Sequence, residues 1–321
     1  MVLDYLVSTQ QARQNPSVLT IAAMVFVSFG VLIEIFLPVI RGSIIIFTMV
    51  ASIPLIWSLL VREEIDEEKN FDEAEKMWRE AFKQTGPIRR IIASHEDLIR
   101  ILAFFFIGAV IAYAAWFAIL PTLEHANYVP AGTAARIFSD QAKELDLIKS
   151  TVSNISGKVA INDRQFVFLF THNLQVLALM FIFCIVYGVG SVYLLLWNAS
   201  IIGVVIGSKI AEGIAQAPEL ASQITSAFPF AGTLPIEVLT IISAIIGGLL
   251  KGLLSLFGLL PHGVFELGAY FIATIAGGLL SVSIMRGIQK PEVKYVLADT
   301  IILTGISLLL LLIGAVIEAS Y

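Results

Sequence analysis

Apolar stretches of roughly 20 residues, the length an α-helix needs to cross the hydrocarbon of a bilayer, recur along this 321-residue chain. They cover 18–40, 44–61, 98–120, 166–196, 236–259, 261–284 and 299–317. Inside lipid no water satisfies backbone N–H and C=O groups, so only helices and closed barrels span it. Runs this long, without strict alternation, read as helices. The pattern predicts an all-α, polytopic transmembrane helical bundle of about seven spans. A mean hydropathy of +0.89, with 58% hydrophobic and 14% charged residues, places the chain with membrane-embedded proteins rather than soluble domains. The stretch 198–207 is apolar but short, better suited to a half-helix or re-entrant segment than to a span; if it crosses completely the spans number eight.

Two polar segments divide the chain. The segment 62–97 holds Arg62, Lys69, Lys76, Arg79, Lys83, Arg89 and Arg90, which the positive-inside rule assigns to the cytoplasm together with the N-terminus. Val61, Ile65, Phe71, Ala74, Trp78 and Phe82 recur in it at helical spacing, predicting an amphipathic helix that ends before Gly86–Pro87. Ser94 to Asp97 resembles a capping box, with His95 as a solvated neighbour. The segment 121–164 then lies outside. Within it, 133–154 places Ala134, Phe138, Ala142, Leu145 and Ile148 on one side of a second amphipathic helix. That helix either lies along its own transmembrane core or offers a contact surface to the envelope. Arg286, Lys290 and Lys294 return to the cytoplasm. The organisation is a transmembrane hairpin at 1–61, an acidic cytoplasmic loop at 62–97, and a main transmembrane domain at 98–321.

The formal charge of −5 comes with acidic residues gathered in one loop and no basic stripe, so nucleic acid is not a partner. Cys184, the single cysteine, lies in an apolar run and reads as core packing. Before the first span the only basic residue is Arg13, and 18–40 exceeds the apolar core of a signal peptide, so this span is expected to stay attached.

Pro261-His262-Gly263-Val264-Phe265-Glu266 carries two ionisable groups at membrane depth, where a charge costs at least about 2.5–3.5 kcal/mol. His262 and Glu266 share one helix face, continued by Tyr270 and Thr274. Beside it runs a small-residue stripe of Ala269, Ala273, Gly277 and Ser281, suited to close helix approach. If 236–259 and 261–284 form a hairpin about Leu260, Lys251 meets Glu266 and Glu237 meets Arg286, giving two paired charges. The alternative for Lys251 is to snorkel to an interface. Upstream, His172 and Asn173 open a helix, while Asn198, Gly203 and Gly207 punctuate the short segment after it. Gly203, Gly207 and Gly263 are further expected packing positions. Asn173 and Asn198 can both donate and accept, which suits bridging to broken backbone. Glu34 lies near Arg41 at a helix end, in a local interfacial role.

Asn173-Leu174, Gly188, Asn198, Gly203, Gly207 and above all Pro261-His262-Gly263 followed by Glu266 resemble the stage II sporulation protein M family, over roughly 99–317. The resemblance implies an integral membrane protein of the cell envelope. In sporulating bacteria that family works in a complex with peptidoglycan-degrading proteins during engulfment. The first two helices and the acidic loop look like additions to the shared region. Two functions follow as expectations. One is a non-enzymatic membrane scaffold within an envelope complex, with the bilayer and envelope proteins as partners and homo-oligomers allowed. The other is an ion- or proton-linked channel or transporter using His262, Glu266 and Lys251. Intramembrane hydrolysis fits worst, because no nucleophile elbow or metal-ligand spacing is present. No cofactor or metal is expected.

Overall fold

The computed structural model describes residues 9–37, 43–69, 95–155, 163–188, 190–228, 230, 233–286 and 293–320. Among them the regular structure is α-helical apart from short 3₁₀ turns. In chain order the helices are α1 (Thr9–Gln14), α2 (Ser17–Phe36), α3 (Ile44–Lys69), α4 (Glu96–His125), α5 (Thr133–Ile137), α6 (Ser139–Ile155), α7 (Asp163–Tyr187), α8 (Ser191–Ala215), α9 (Ala217–Ala227), α10 (Ile236–Arg286) and α11 (Val293–Glu318). Six of them, α2, α4, α7, α8, α10 and α11, are long and apolar enough to cross a membrane, and α3 adds a shorter apolar stretch, Ile44–Ser58.

Expectations fail at two places in the chain, each for a local reason. The run 166–196 is not one span, because Gly188 turns the chain at φ +69, a backbone state that glycine tolerates and other residues resist. A side chain there would also strike Trp57, whose ring carbon lies 2.6 Å from the Cβ position. Helix α7 ends at this turn and α8 begins at Ser191. The stretch 198–207 is therefore the middle of a full 25-residue helix, not a half-helix. Conversely, the hairpin about Leu260 does not exist, since 236–259 and 261–284 form the single 51-residue α10. Leu260 alone separates the two apolar runs, whereas antiparallel helices need a connector of about 2–5 residues. Pro261 removes one helical hydrogen bond without supplying a turn.

The amphipathic helix expected from Val61 onward is realised as the end of α3 as far as Lys69; its remainder lies outside the described residues. The extramembrane helix at 133–154 forms as α5 and α6, hinged at Phe138. Ile137 and Phe138 are buried, and Phe138 meets Phe117 of α4 edge-on at 5.2 Å, so this segment lies along its own core. Glu124 fixes it there, accepting from the Gly132 N–H at 2.8 Å and the Ala134 N–H at 2.7 Å. His95 is not solvated but 1% exposed at the start of α4.

The core is built where helices lack side chains. Gly203 and Gly207 of α8 let α4 approach until their Cβ positions lie 2.5 Å from Tyr113 Cβ and 2.7 Å from the Ala114 carbonyl. Gly108 of α4 admits the Thr20 backbone of α2. Tyr113, fully buried at the centre, donates to Thr48 Oγ1 of α3 at 3.3 Å. Helices α7, α10 and α11 form a second group beside this one.

Candidate functional site

The polar residues of the second group meet where α7, α10 and α11 converge. Helices α7 and α10 run the same way. Gly277 seats Cys184, with the Cβ position 2.7 Å from Cys184 Cβ, and farther along Asn173 faces Glu266 and Tyr270. Helix α11 runs back along α10, and Gly314 lies against Glu266 Cγ, 2.9 Å from its Cβ position, with the His262 carbonyl at 3.5 Å. Any larger residue at 314 would push the Glu266 side chain away. Ala269 and Ala273, both fully buried, keep this contact tight.

Asn173 is the junction. Its amide nitrogen donates to Glu266 Oε1 at 2.5 Å, and its amide oxygen accepts from the Tyr270 hydroxyl at 3.0 Å. Asn173 and Tyr270 are buried, whereas Glu266, His262 and Glu318 are partly exposed. Glu318, at the end of α11, stands close to the Glu266 carboxyl and to the imidazoles of His262 and His172. The ring of His172 stacks on Phe168 at 6.1 Å. Chemically the cluster can tie three helices together. Among the described residues no group of three His, Cys, Asp or Glu side chains is arranged to hold a metal.

The expected charge pairs are replaced by others. Lys251 is remote from Glu266 and donates instead to Glu212 Oε1 at 2.6 Å and Gln216 Oε1 at 2.7 Å. Glu212 also pairs with Lys209 at 2.9 Å. Glu237 is exposed near one end of α10 while Arg286 closes the other, so a continuous helix holds them about 74 Å apart. Asn198 donates to Leu194 of its own helix at 2.8 Å and bridges nothing. Gly203, Gly207 and Gly277 are packing positions as expected; Gly263 is not, since nothing lies within 4 Å of its Cβ position. Glu34 is 1% exposed, and its backbone carbonyl accepts from Arg136 at 3.4 Å; its expected neighbour Arg41 lies outside the described residues. Glu318 is the residue that sequence reasoning missed. It stands one position beyond the last apolar run, where a carboxylate reads as solvated. A cavity of about 610 Å³, lined by Gly132, Arg136, Ser139, Asp140 and Lys143, lies away from the cluster on α5 and α6.

Apolar helices of spanning length, packed through glycines and enclosing a polar junction, define a multi-pass α-helical membrane protein. The family model described as stage II sporulation protein M matches residues 101–250 and 224–321, and the chain belongs to that family. Asn173, Glu266, Tyr270 and Glu318 all lie within the match, whereas α1 to α3 precede it. No curated protein and no solved structure matches.

Proposed function

We propose that the protein is a non-enzymatic scaffold of the cell membrane, holding together an envelope complex. In this reading the N-terminus and the segment 62–97 face the cytoplasm, and α5 and α6 face the outside. The observation that carries it is how Asn173 is used. Its donor and its acceptor both go to α10 side chains, so the buried polar groups fasten helices to each other instead of lining a path. Buried polar junctions of this kind select one arrangement of a bundle. The cavity on α5 and α6 adds a polar surface to these helices. The test is to cross-link cells, purify the full chain from native membranes and identify what comes with it. Reproducible, stoichiometric recovery of extracytoplasmic envelope proteins is the expected result. Recovery of this protein alone sinks the scaffold reading.

A second reading rests on the gathering of two carboxyls, Glu266 and Glu318, beside the imidazoles of His262 and His172. Such a pair suits a proton-coupled channel or transporter. In proteoliposomes this reading expects a proton flux that Glu266→Gln abolishes; no flux from the intact chain leaves the scaffold.

A further inference from the structure

The cavity of about 610 Å³ on α5 and α6 is lined from one helix face. Gly132, Arg136, Ser139 and Lys143 follow steps of four, three and four, which bring them to the same side. Gly132 leaves the space open, since nothing lies within 4 Å of its Cβ position. The volume falls in the range of about 300–1,000 Å³ common among ligand sites. Its walls are held in place from two directions. Glu124 fixes the Gly132 and Ala134 N–H groups, and Phe138 is anchored on Phe117.

Hydrogen-bond donors are in excess along this lining. Arg136 donates to the Glu34 carbonyl at 3.4 Å, and a guanidinium has several further N–H groups to offer. Lys143 donates to Asp140 at 3.0 Å with its side chain 76% exposed, so the rest of its ammonium is open to a ligand. Counting Arg136, Lys143 and Asp140, the lining carries one net positive charge. A guanidinium fork, the Ser139 hydroxyl and an ammonium on one face match the oxygens of a phosphate, which arginine grips through two parallel hydrogen bonds. Asp140 selects the form of that phosphate. Its carboxylate repels the extra charge of inorganic phosphate but accepts from a hydroxyl or an ammonium, as found on the alcohol of a phosphate ester.

The cavity also stands at a defined depth. Arg136 touches residue 34 of α2, whose spanning stretch ends at Phe36, and Phe138 touches residue 117 of α4, shortly before the polar end of that helix at Glu124. A guanidinium is tolerated at the end of two spans because it reaches headgroups rather than hydrocarbon. Phe36, 77% exposed, adds apolar surface at the same end of α2. We propose that the cavity on α5 and α6 binds a phosphate ester through Arg136, Ser139 and Lys143, and its depth favours the headgroup of a membrane phospholipid as the source. The inference does not rest on the scaffold reading.

The experiment uses the full chain, purified in neutral detergent, stripped of lipid and titrated with phosphatidylglycerol, diacylglycerol or glycerol phosphate while native mass spectrometry counts what is bound. Phosphatidylglycerol should bind saturably at one molecule per chain. Arg136→Lys, which keeps the charge but loses the fork, and Lys143→Ala should each weaken it about tenfold, the loss of one hydrogen bond to a charged group. Both variants should melt at the wild-type temperature, so that weaker binding is not a folding failure. Lys209→Ala, at an exposed ion pair elsewhere, should bind as the wild type does. Binding of the lipid but not of glycerol phosphate assigns the site to a headgroup; equal binding of both assigns it to a soluble phosphate ester on the same residues. Saturable binding of neither phosphate overturns the proposal. So does undiminished binding by Arg136→Lys and Lys143→Ala, or diacylglycerol binding as tightly as phosphatidylglycerol.

Discussion

Asn173 ties α7 to α10 twice, donating to Glu266 and accepting from Tyr270. Replacing it with leucine keeps the branching at Cγ but leaves the Glu266 carboxyl and the Tyr270 hydroxyl without this partner. A buried group left unpaired costs about 1–3 kcal/mol in soluble proteins, and membrane interiors soften such losses. Asn173→Leu should therefore destabilise the bundle by about 1–2 kcal/mol in detergent unfolding, against roughly 1 kcal/mol or less for Tyr270→Phe, which strands only a side-chain carbonyl. The opposite ranking would mean that Glu266 is held by Glu318 rather than by Asn173. At this scale the sequence was informative where residues share a helix face. Glu266, Tyr270 and the buried Ala269 and Ala273 follow from spacing alone. Glu318 and Lys251 do not, because their partners come from other helices and hydropathy carries no information about which helices adjoin.

Glycine spacing predicts close approach but not against what. Gly207 and Gly263 look alike in sequence, yet one faces α4 and the other open space. Adding a Cβ at Gly207 requires the Ala114 carbonyl 2.7 Å away to move, and backbone in a packed pair of helices yields at a cost of about 1–3 kcal/mol. Gly207→Val should lower the melting temperature of the purified protein. Gly263→Ala should raise it slightly, since alanine is favoured over glycine inside a helix by up to about 1 kcal/mol. A destabilising Gly263→Ala would reveal a neighbour at that face. Element boundaries divided in the same way. Ser17–Phe36, Glu96–His125 and Val293–Glu318 were visible as apolar runs with polar ends. The break at Gly188 and the continuity through Pro261 were not, because an apolar window has the same hydropathy whether it is one helix or two.

For the molecule as a whole, the N-terminal helices matter more than the reach of the family match suggests. The match begins at residue 101, but α2 and α3 are built into the core: Leu19, Ala23, Val27, Val31, Ile44, Leu55 and Ile56 are all at most 3% exposed. Thr20 donates to the Phe104 carbonyl at 3.0 Å, and Trp116 donates to Ser28 at 3.0 Å. Removing residues 1–69 should uncover the faces of α4 that hold these contacts. The shortened chain is expected to aggregate on detergent extraction, where the full chain elutes as one species. A monodisperse, equally heat-resistant fragment would show that α2 and α3 are appendages.

The sequence by itself determined that the chain is helical, that it is membrane-embedded and that its polar residues are few enough to matter. Each of these is a property of composition and of spacing along one helix. Only the tertiary structure decided which polar groups meet, where α7 ends and that α10 runs unbroken. Those outcomes depend on contacts between residues distant in sequence, such as Trp57 at Gly188 and Gly314 at Glu266, and no local pattern encodes a neighbour supplied by another helix.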